Sequence, residues 1–256
     1  MPPTSLFTQP PPTGLIDMHS HLLPGIDDGC QTFEESLACI TRLKQLGYVG
    51  TICTPHVDFD HYPENTPEHI HAHFLSLQQY LASHNVSYQL WFGGELRIHR
   101  DIVNLLKQTP PPTLVHTRCV LVDFWDPAWP KWTPSVFEWL LSQKYQPILA
   151  HPERLPAASA DDMLKNLLPL EKMGVWLQGN FRCMTGEEGY LADRVIRKLL
   201  EQQRYKLLAL DMHRPDSLES RLDGLSLVEA EFGPETITKL TSEAPRKLLF
   251  TPPSKT

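Results

Sequence analysis

Two histidines one residue apart, His19 and His21, precede a turn that carries Asp27, Asp28 and Gly29. The apolar pair Leu15-Ile16 ahead of them predicts a strand, on which alternate side chains share a face, so both imidazoles project the same way. Two imidazoles followed by carboxylates suit a borderline divalent metal that takes nitrogen and oxygen donors. Taken alone, the pair is equally well explained by packed or surface histidines, and the remainder of the chain decides between the two.

Periodicity predicts the elements that would hold such a site. A strand at the start is followed by a capping-box pattern at Thr32 to Glu35 and a helix that stops at Gly47. Strands are expected over 49–54, 87–94, 118–124, 147–150, 175–179 and 206–210. Helices are expected over about 66–84, 101–107, 134–143, 160–173, 189–202, 217–232 and 234–249. Seven strands alternating with helices imply parallel pairing through right-handed crossovers, and at 256 residues a closed or nearly closed barrel in one domain. The expected layout is a Pro-rich disordered leader over 1–14 and a barrel domain over 15–256.

The polar residues fall in one place on this plan. His19 and His21, His56, Glu95, Asp123, His151, and Asp211 with His213 all lie at or just beyond the C-terminal ends of six strands. In a parallel barrel those ends surround a single mouth, where catalytic groups collect. So many donors exceed what one tetrahedral ion takes, and a cluster of two or three ions with shared carboxylates is expected.

Composition narrows the function classes. A net charge of −7 leaves no surplus of Lys and Arg to neutralise a nucleic-acid backbone. No apolar run approaches a membrane span, and the N-terminus lacks a signal peptide's basic start and apolar centre. Five scattered cysteines, Cys30, Cys39, Cys53, Cys119 and Cys183, contain no CxxC pair and read as reduced thiols in a cytoplasm.

The segments HSHLLPGIDDG, TPH, GGELRI, LVDF, AHPER and DMH, in that order, resemble the PHP superfamily. Within it they are similar to the PHP-type bacterial protein-tyrosine phosphatases encoded with capsule and exopolysaccharide genes, the CpsB/YwqE-like family. The resemblance covers about residues 15–214. It implies a distorted (β/α)7 TIM-like barrel, a site of two or three metal ions often filled by manganese (iron, zinc or magnesium being alternatives), and hydrolysis of phosphotyrosine. The implied substrate is a phosphotyrosine protein, a bacterial tyrosine-kinase tail. Carried over by position, the implied ligands are His19, His21, Asp28, His56, Glu95, Asp123, His151, Asp211 and His213, and Arg154 matches an arginine that holds the phosphate. Three positions depart from the pattern: Asp123 stands where relatives carry Glu, Val57 follows TPH, and Arg214 replaces a common Asn.

The chemistry expected of such a site is attack on phosphorus by a metal-activated hydroxide, with Arg154 gripping the non-bridging oxygens. Asp28 or a site histidine such as His213 would protonate the leaving phenolate. Arg214 is either a second phosphate contact or a solvent-facing cation, and Arg97 either a further anion contact or a surface ion pair. Trp125, Trp129 and Trp132 read as rim packing first and as an aromatic wall second. Asp27 reads as a turn former beside Gly29. Cysteine chemistry is excluded, because the sixth residue after each cysteine is Ser36, Gln45, Phe59, Trp125 or Gly189, never Arg. Neither a GxSxG elbow nor a P-loop is present. The competing functions are a PHP phosphatase for a small metabolite such as histidinol phosphate and a non-catalytic regulator that binds a kinase tail.

Overall fold

A computed structural model describes residues 13–250; most of the 1–14 leader lies outside the described residues. The first strand, β1 (Leu15–Asp17), pairs in parallel with β2 (Tyr48–Cys53), and β2 with β4 (Gln89–Phe92). A second parallel run orders β3 (His56–Val57), β5 (Glu95–Arg97), β6 (Cys119–Asp123), β7 (Gln146–Ala150), β8 (Trp176–Asn180) and β9 (Leu207–Ala209).

The seven expected strands are therefore seven staves, two of them broken. Pro55 has no N–H to offer a ladder, and Gly93-Gly94 follows β4, so the second and third staves each kink and resume as β3 and β5. The ladder carries across the breaks: the Glu95 N–H donates to the Pro55 carbonyl at 3.0 Å and that of Gly93 to Cys53 at 2.9 Å. The barrel closes where Ser20 bridges Met212 and the His21 N–H reaches the Met212 carbonyl at 2.7 Å. At this seam the Asp17 carboxylate takes the Leu210 N–H at 3.0 Å in place of a backbone carbonyl.

Strand alternation assigns the two faces. Cys119 and Leu121 on β6 join Ile16, Ile52, Ile148 and Ala150 in one buried cluster, whereas Val120, Val122 and Leu149 join the helix-facing cluster. Asp123 continues the first face, and its carboxylate is therefore inward at the top of the stave.

The helices form for local reasons the sequence states. Helix α1 (Phe33–Gln45) is capped by Thr32, whose hydroxyl accepts the Glu35 N–H, while Glu35 returns to the Gln31 amide at 2.6 Å. Helix α2 (Pro67–Ser83) begins with a Thr66 cap and Pro67, and α5 (Ala160–Met173) ends on Gly174 at φ 109°. Between them lie α3 (Ile102–Leu106) and α4 (Thr133–Ser142), followed by α6 (Tyr190–Glu201) and α7 (Leu218–Phe232). The expected last helix is divided into α8 (Pro234–Thr238), a π-turn at Lys239–Glu243 and α9 (Ala244–Phe250), with Pro245 at the restart. Among the described residues no helix is long and apolar enough to cross a membrane.

Candidate metal centre

The rim of the barrel brings eight of the nine expected donor residues into three interlocking groups: His19, His21 and Asp211; His19, Glu95 and His151; and His21, Asp28, His56 and His213. The innermost atoms are His19 Nε2, His21 Nε2, Glu95 Oε2 and Asp211 Oδ1. His19 Nε2 lies 3.2 Å from His21 Nε2 and 3.4 Å from both carboxylate oxygens. His21 Nε2 lies 3.5 and 3.4 Å from the same two oxygens. Bonds of about 2.0–2.2 Å in a tetrahedron space the ligand atoms about 3.3–3.6 Å apart, so these four atoms have the separations of one coordination shell.

The far sides of these side chains are already engaged. His19 Nδ1 meets Gln178 Oε1 at 2.9 Å, and His21 Nδ1 meets Asp27 Oδ2 at 2.8 Å. Each ring is thereby fixed with Nδ1 protonated and the Nε2 lone pair turned inward. Asp211 Oδ2 is held by the Asn180 amide at 2.9 Å and Arg154 Nη1 at 3.0 Å. Yet Glu95 Oε2, Asp211 Oδ1 and His151 Nδ1 are buried without a hydrogen-bond partner. Buried polar atoms are normally satisfied; Glu95 Oε2 and Asp211 Oδ1 both face His19 Nε2 and His21 Nε2, where one cation would satisfy the four together, while His151 Nδ1 faces Asp123. The donors are all nitrogen and oxygen, the set expected for manganese, iron, zinc or magnesium. The five cysteines are free and buried, and none enters a group; Cys30 Sγ instead donates to the His213 carbonyl at 3.1 Å.

The outer group is more open. Asp28 Oδ1 lies 3.3 Å from His56 Nε2 and 3.5 Å from His213 Nε2, with the Asp28 side chain 53% exposed. His213 Nδ1 donates to the Asp211 carbonyl at 2.8 Å, which frees Nε2. The third group joins Glu95 Oε1 to His151 Nε2 at 3.0 Å. Asp123 is the donor the fold brings least close. Its Oδ1 stands 4.0 Å from His151 Nδ1, and its two oxygens take the N–H of Phe124 and the indole N–H of Trp125. One methylene fewer than Glu leaves it short of the others.

Backbone strain marks the same residues. His151 and Asp211 sit at φ 30° and 52°, left-handed values that side chains with a Cβ disfavour and that cluster at functional sites. Gly29 admits the turn: a Cβ there would fall 2.0 Å from the His21 carbonyl oxygen.

At the mouth most histidines and carboxylates hold one another in their charged forms. Burial and the neighbouring His21 disfavour charge on His56, but Glu95 and Asp28 outweigh them and raise it to about 10. Burial likewise opposes charge on His151, and the Asp123 and Glu95 carboxylates still lift it to about 8. Burial alone would raise Glu95, yet His19, His56 and His151 hold it well below the usual carboxylate range. The neighbouring His213 and His56 rings hold Asp28 below the usual carboxylate range. Asp123 goes the other way, raised by burial and by the charge of Glu95.

The expected substrate contacts divide. Arg154, on the turn after β7, and Arg214 line a cavity of about 330 Å³ together with Asp28 and His213. Arg97 lines neither that cavity nor the neighbouring one of about 190 Å³ bounded by Asp123, Trp125, His151 and Arg154. Its Nη1 is paired with Asp58 Oδ2 at 2.9 Å, and its guanidinium lies 4.7 Å from the Trp125 ring centroid, the ion-pair outcome for this residue. Trp129 and Trp132 pack edge-on against Phe124, as rim packing requires, whereas Trp125 is 43% exposed and stands edge-on to His56. Tyr62 stacks on His56 with ring centroids 5.5 Å apart.

Sequence reading missed the braces. Gln178 and Asn180, two apart on β8, are absent from the expected set, although the spacing that aligns His19 with His21 aligns them too. Asp27 caps the Gly29 N–H at 2.9 Å as a turn former does, and also orients His21 and takes the His56 N–H at 3.1 Å. Arg221 gave no signal: buried on α7, it donates Nε to the carbonyls of Leu210 and Asp211 and so clamps the strained turn.

A parallel α/β barrel with clustered nitrogen and oxygen donors of metal-ligand type in its mouth is the class of protein these observations define. The family model for capsular polysaccharide synthesis proteins CpsB/CapC matches residues 15–250. The chain belongs to that family. It is 26% identical over 231 residues to the tyrosine-protein phosphatase YwqE of Bacillus subtilis, covering 90% of each chain. It is 27% identical over 243 residues to the tyrosine-protein phosphatase CpsB of Streptococcus agalactiae serotype V, covering 92% of this chain and 98% of that one. Among solved structures, one chain from the crystal structures of the metal-dependent tyrosine phosphatases YwqE of Bacillus subtilis and CpsB of Streptococcus pneumoniae shares its fold with a TM-score of 0.78 and 24% identity, over 93% of this chain and 96% of the other.

Proposed function

We propose that the protein is a metal-dependent protein-tyrosine phosphatase that acts on a phosphotyrosine protein, the tail of a bacterial tyrosine kinase serving capsule or exopolysaccharide synthesis. The observation that carries this reading is the cluster of donor residues around the buried, unpartnered oxygens of Glu95 and Asp211, with Arg154 tethered to Asp211 and lining the adjoining cavity. The tyrosine-phosphatase names of relatives matched along nearly their whole length support it.

Manganese is the metal we assign; His19, His21, Glu95 and Asp211 would hold it at the centre, Asp28, His56 and His213 toward solvent, and Glu95 and His151 in the third group, with Asp123 farther off. When bound, the ions supply Lewis acidity that lowers the pKa of a water and neutralises phosphoryl oxygens. The protein does the rest. Arg154, 38% exposed and tethered to Asp211, offers its remaining N–H groups to the non-bridging oxygens. Asp28 and His213 face the same cavity; Asp28 is held ionised there and has no proton to hand to the departing phenolate, a leaving group good enough to need little help. Trp125 and Tyr62 flank His56 as apolar surfaces for a tyrosyl ring. Five reduced thiols accord with a cytoplasmic location.

The test is phosphate release from a phosphotyrosine peptide and from histidinol phosphate, with manganese and after thorough chelation. Metal-dependent turnover of the peptide is expected to exceed that of histidinol phosphate. Turnover unchanged by metal stripping overturns the reading.

A further inference from the structure

The cavity that Asp28 and His213 open into continues past Arg154 to Arg182 and Arg214. Arg154, tethered to Asp211, is the arginine assigned to the phosphoryl group at the metals. Arg182, on the turn Phe181–Thr185 after β8, is 30% exposed, and its Nε and Nη1 meet Glu187 at 3.1 Å and Glu188 at 3.2 Å. Glu188 also reaches Arg154 Nε at 3.4 Å, so one carboxylate spans the two arginines. Arg214 is exposed on the cavity lining, and among the described residues its side chain has no hydrogen bond or ion pair. The cavity lining thus carries four arginines beside the carboxylates of Asp28, Glu188 and Asp216, and of the arginines Arg154 and Arg182 are already ion-paired while Arg214, among the described residues, is not.

We infer that Arg182 and Arg214 form a second anion subsite, which takes another negatively charged group on the same substrate while its phosphotyrosine occupies the metals. The inference rests on the phosphatase reading and names the substrate class within it: segments with a second anion close to the scissile phosphate, whether an acidic side chain or another phosphotyrosine. Glu187 and Glu188 show how a carboxylate sits on Arg182. They lie between Gly186 and Gly189, at φ 80° and 95° with open space around both, so the loop can release the arginines to an incoming anion. Arg214 needs no such exchange. The guanidiniums are partly solvated, so the gain is modest and falls with salt.

The experiment measures binding to the manganese-loaded protein of three peptides carrying a non-hydrolysable phosphonate in place of phosphotyrosine: one with neutral neighbours, one with flanking glutamates, one with a second phosphonate. The acidic and doubly substituted peptides are expected to bind about three- to tenfold tighter than the neutral one at low salt, the range of one or two screened ion pairs. Whichever of them gains more identifies the anion's source. The gain should shrink in high salt, vanish in Arg182→Gln/Arg214→Gln, and partly return in Arg182→Lys/Arg214→Lys, which controls for folding. Equal binding of all three peptides, or a preference that survives the Gln substitutions, overturns the inference. Failure of the phosphatase reading looks different: the flank preference persists in binding while phosphotyrosine peptides release no phosphate.

Discussion

The inner and outer donor sets of the mouth are built to different standards. His19, His21, Glu95 and Asp211 are essentially solvent-free, and three of the four are pinned from behind, by Gln178, Asp27 and Asn180. Asp28 is half exposed, and its brace is the ring nitrogens of His56 and His213 themselves. The inner set is thus preorganised by the barrel, whereas the outer set depends on a loop. A preorganised shell fixes affinity and geometry, while an open one leaves room for substrate oxygens and exchange with solvent.

The sharpest way to break this contrast is at the side chain that joins the groups. Glu95 contacts His151 through Oε1 and faces His19, His21 and His56 through Oε2. Glu95→Gln removes the central charge and should lower kcat on an aryl phosphate by about 10³-fold or more, since a metal centre supplies several kcal/mol of charge stabilisation. Bound metal per chain, measured by elemental analysis, should fall with it. Full metal content with full activity would show that the groups are independent.

Asp28→Asn should separate the sets. The outer donors lose their only carboxylate while the inner four are untouched, so one metal equivalent is expected to leave and kcat to fall about 10²-fold, less than for Glu95. If the remaining metal also becomes labile to mild chelation, the distinction between the sets is wrong. Gln178→Ala then asks how much a brace contributes. It frees the His19 ring without removing a donor, and a loss of about tenfold in metal affinity is expected, read by competition with a chelating dye.

How much of this was legible beforehand follows from the same contrast. The donors announced themselves because ligand chemistry restricts residue type and because staves end where helical periodicity begins. Even the inward turn of Asp123 follows from counting two by two from Cys119 along β6. What stayed hidden depends on pairings between distant segments. Breaks at Pro55 and Gly93 read as loop or strand until the β3 and β5 register is known. Arg221 acts on carbonyls, which any residue type presents. Arg97 was ambiguous because its partner Asp58 sits 39 residues away, just past the end of β3.

The smallest expected effect lies on α2, on the far side of the loop that carries both Asp27 and Asp28. His69 and His73 share a helix face with ring centroids 4.6 Å apart, and His73 Nδ1 donates to the Pro24 carbonyl at 3.1 Å. Burial and the neighbouring His69 lower the pKa of His73. A histidine lowered on folding binds fewer protons in the native than in the unfolded chain, so stability is lost as pH falls from the unfolded value of about 6.5 through the native one. His73→Gln keeps a donor for Pro24 and removes the titration. The wild-type protein should therefore lose slightly more thermal stability than the variant between pH 7 and 5, a difference of a degree or two by calorimetry on metal-free samples. The outer donor set should feel the same change, because Pro24 sits in the loop that presents Asp28. In His73→Gln, metal retention below pH 6 should improve for the outer equivalent alone, and equal retention at both sets would mean that the loop is not what distinguishes them.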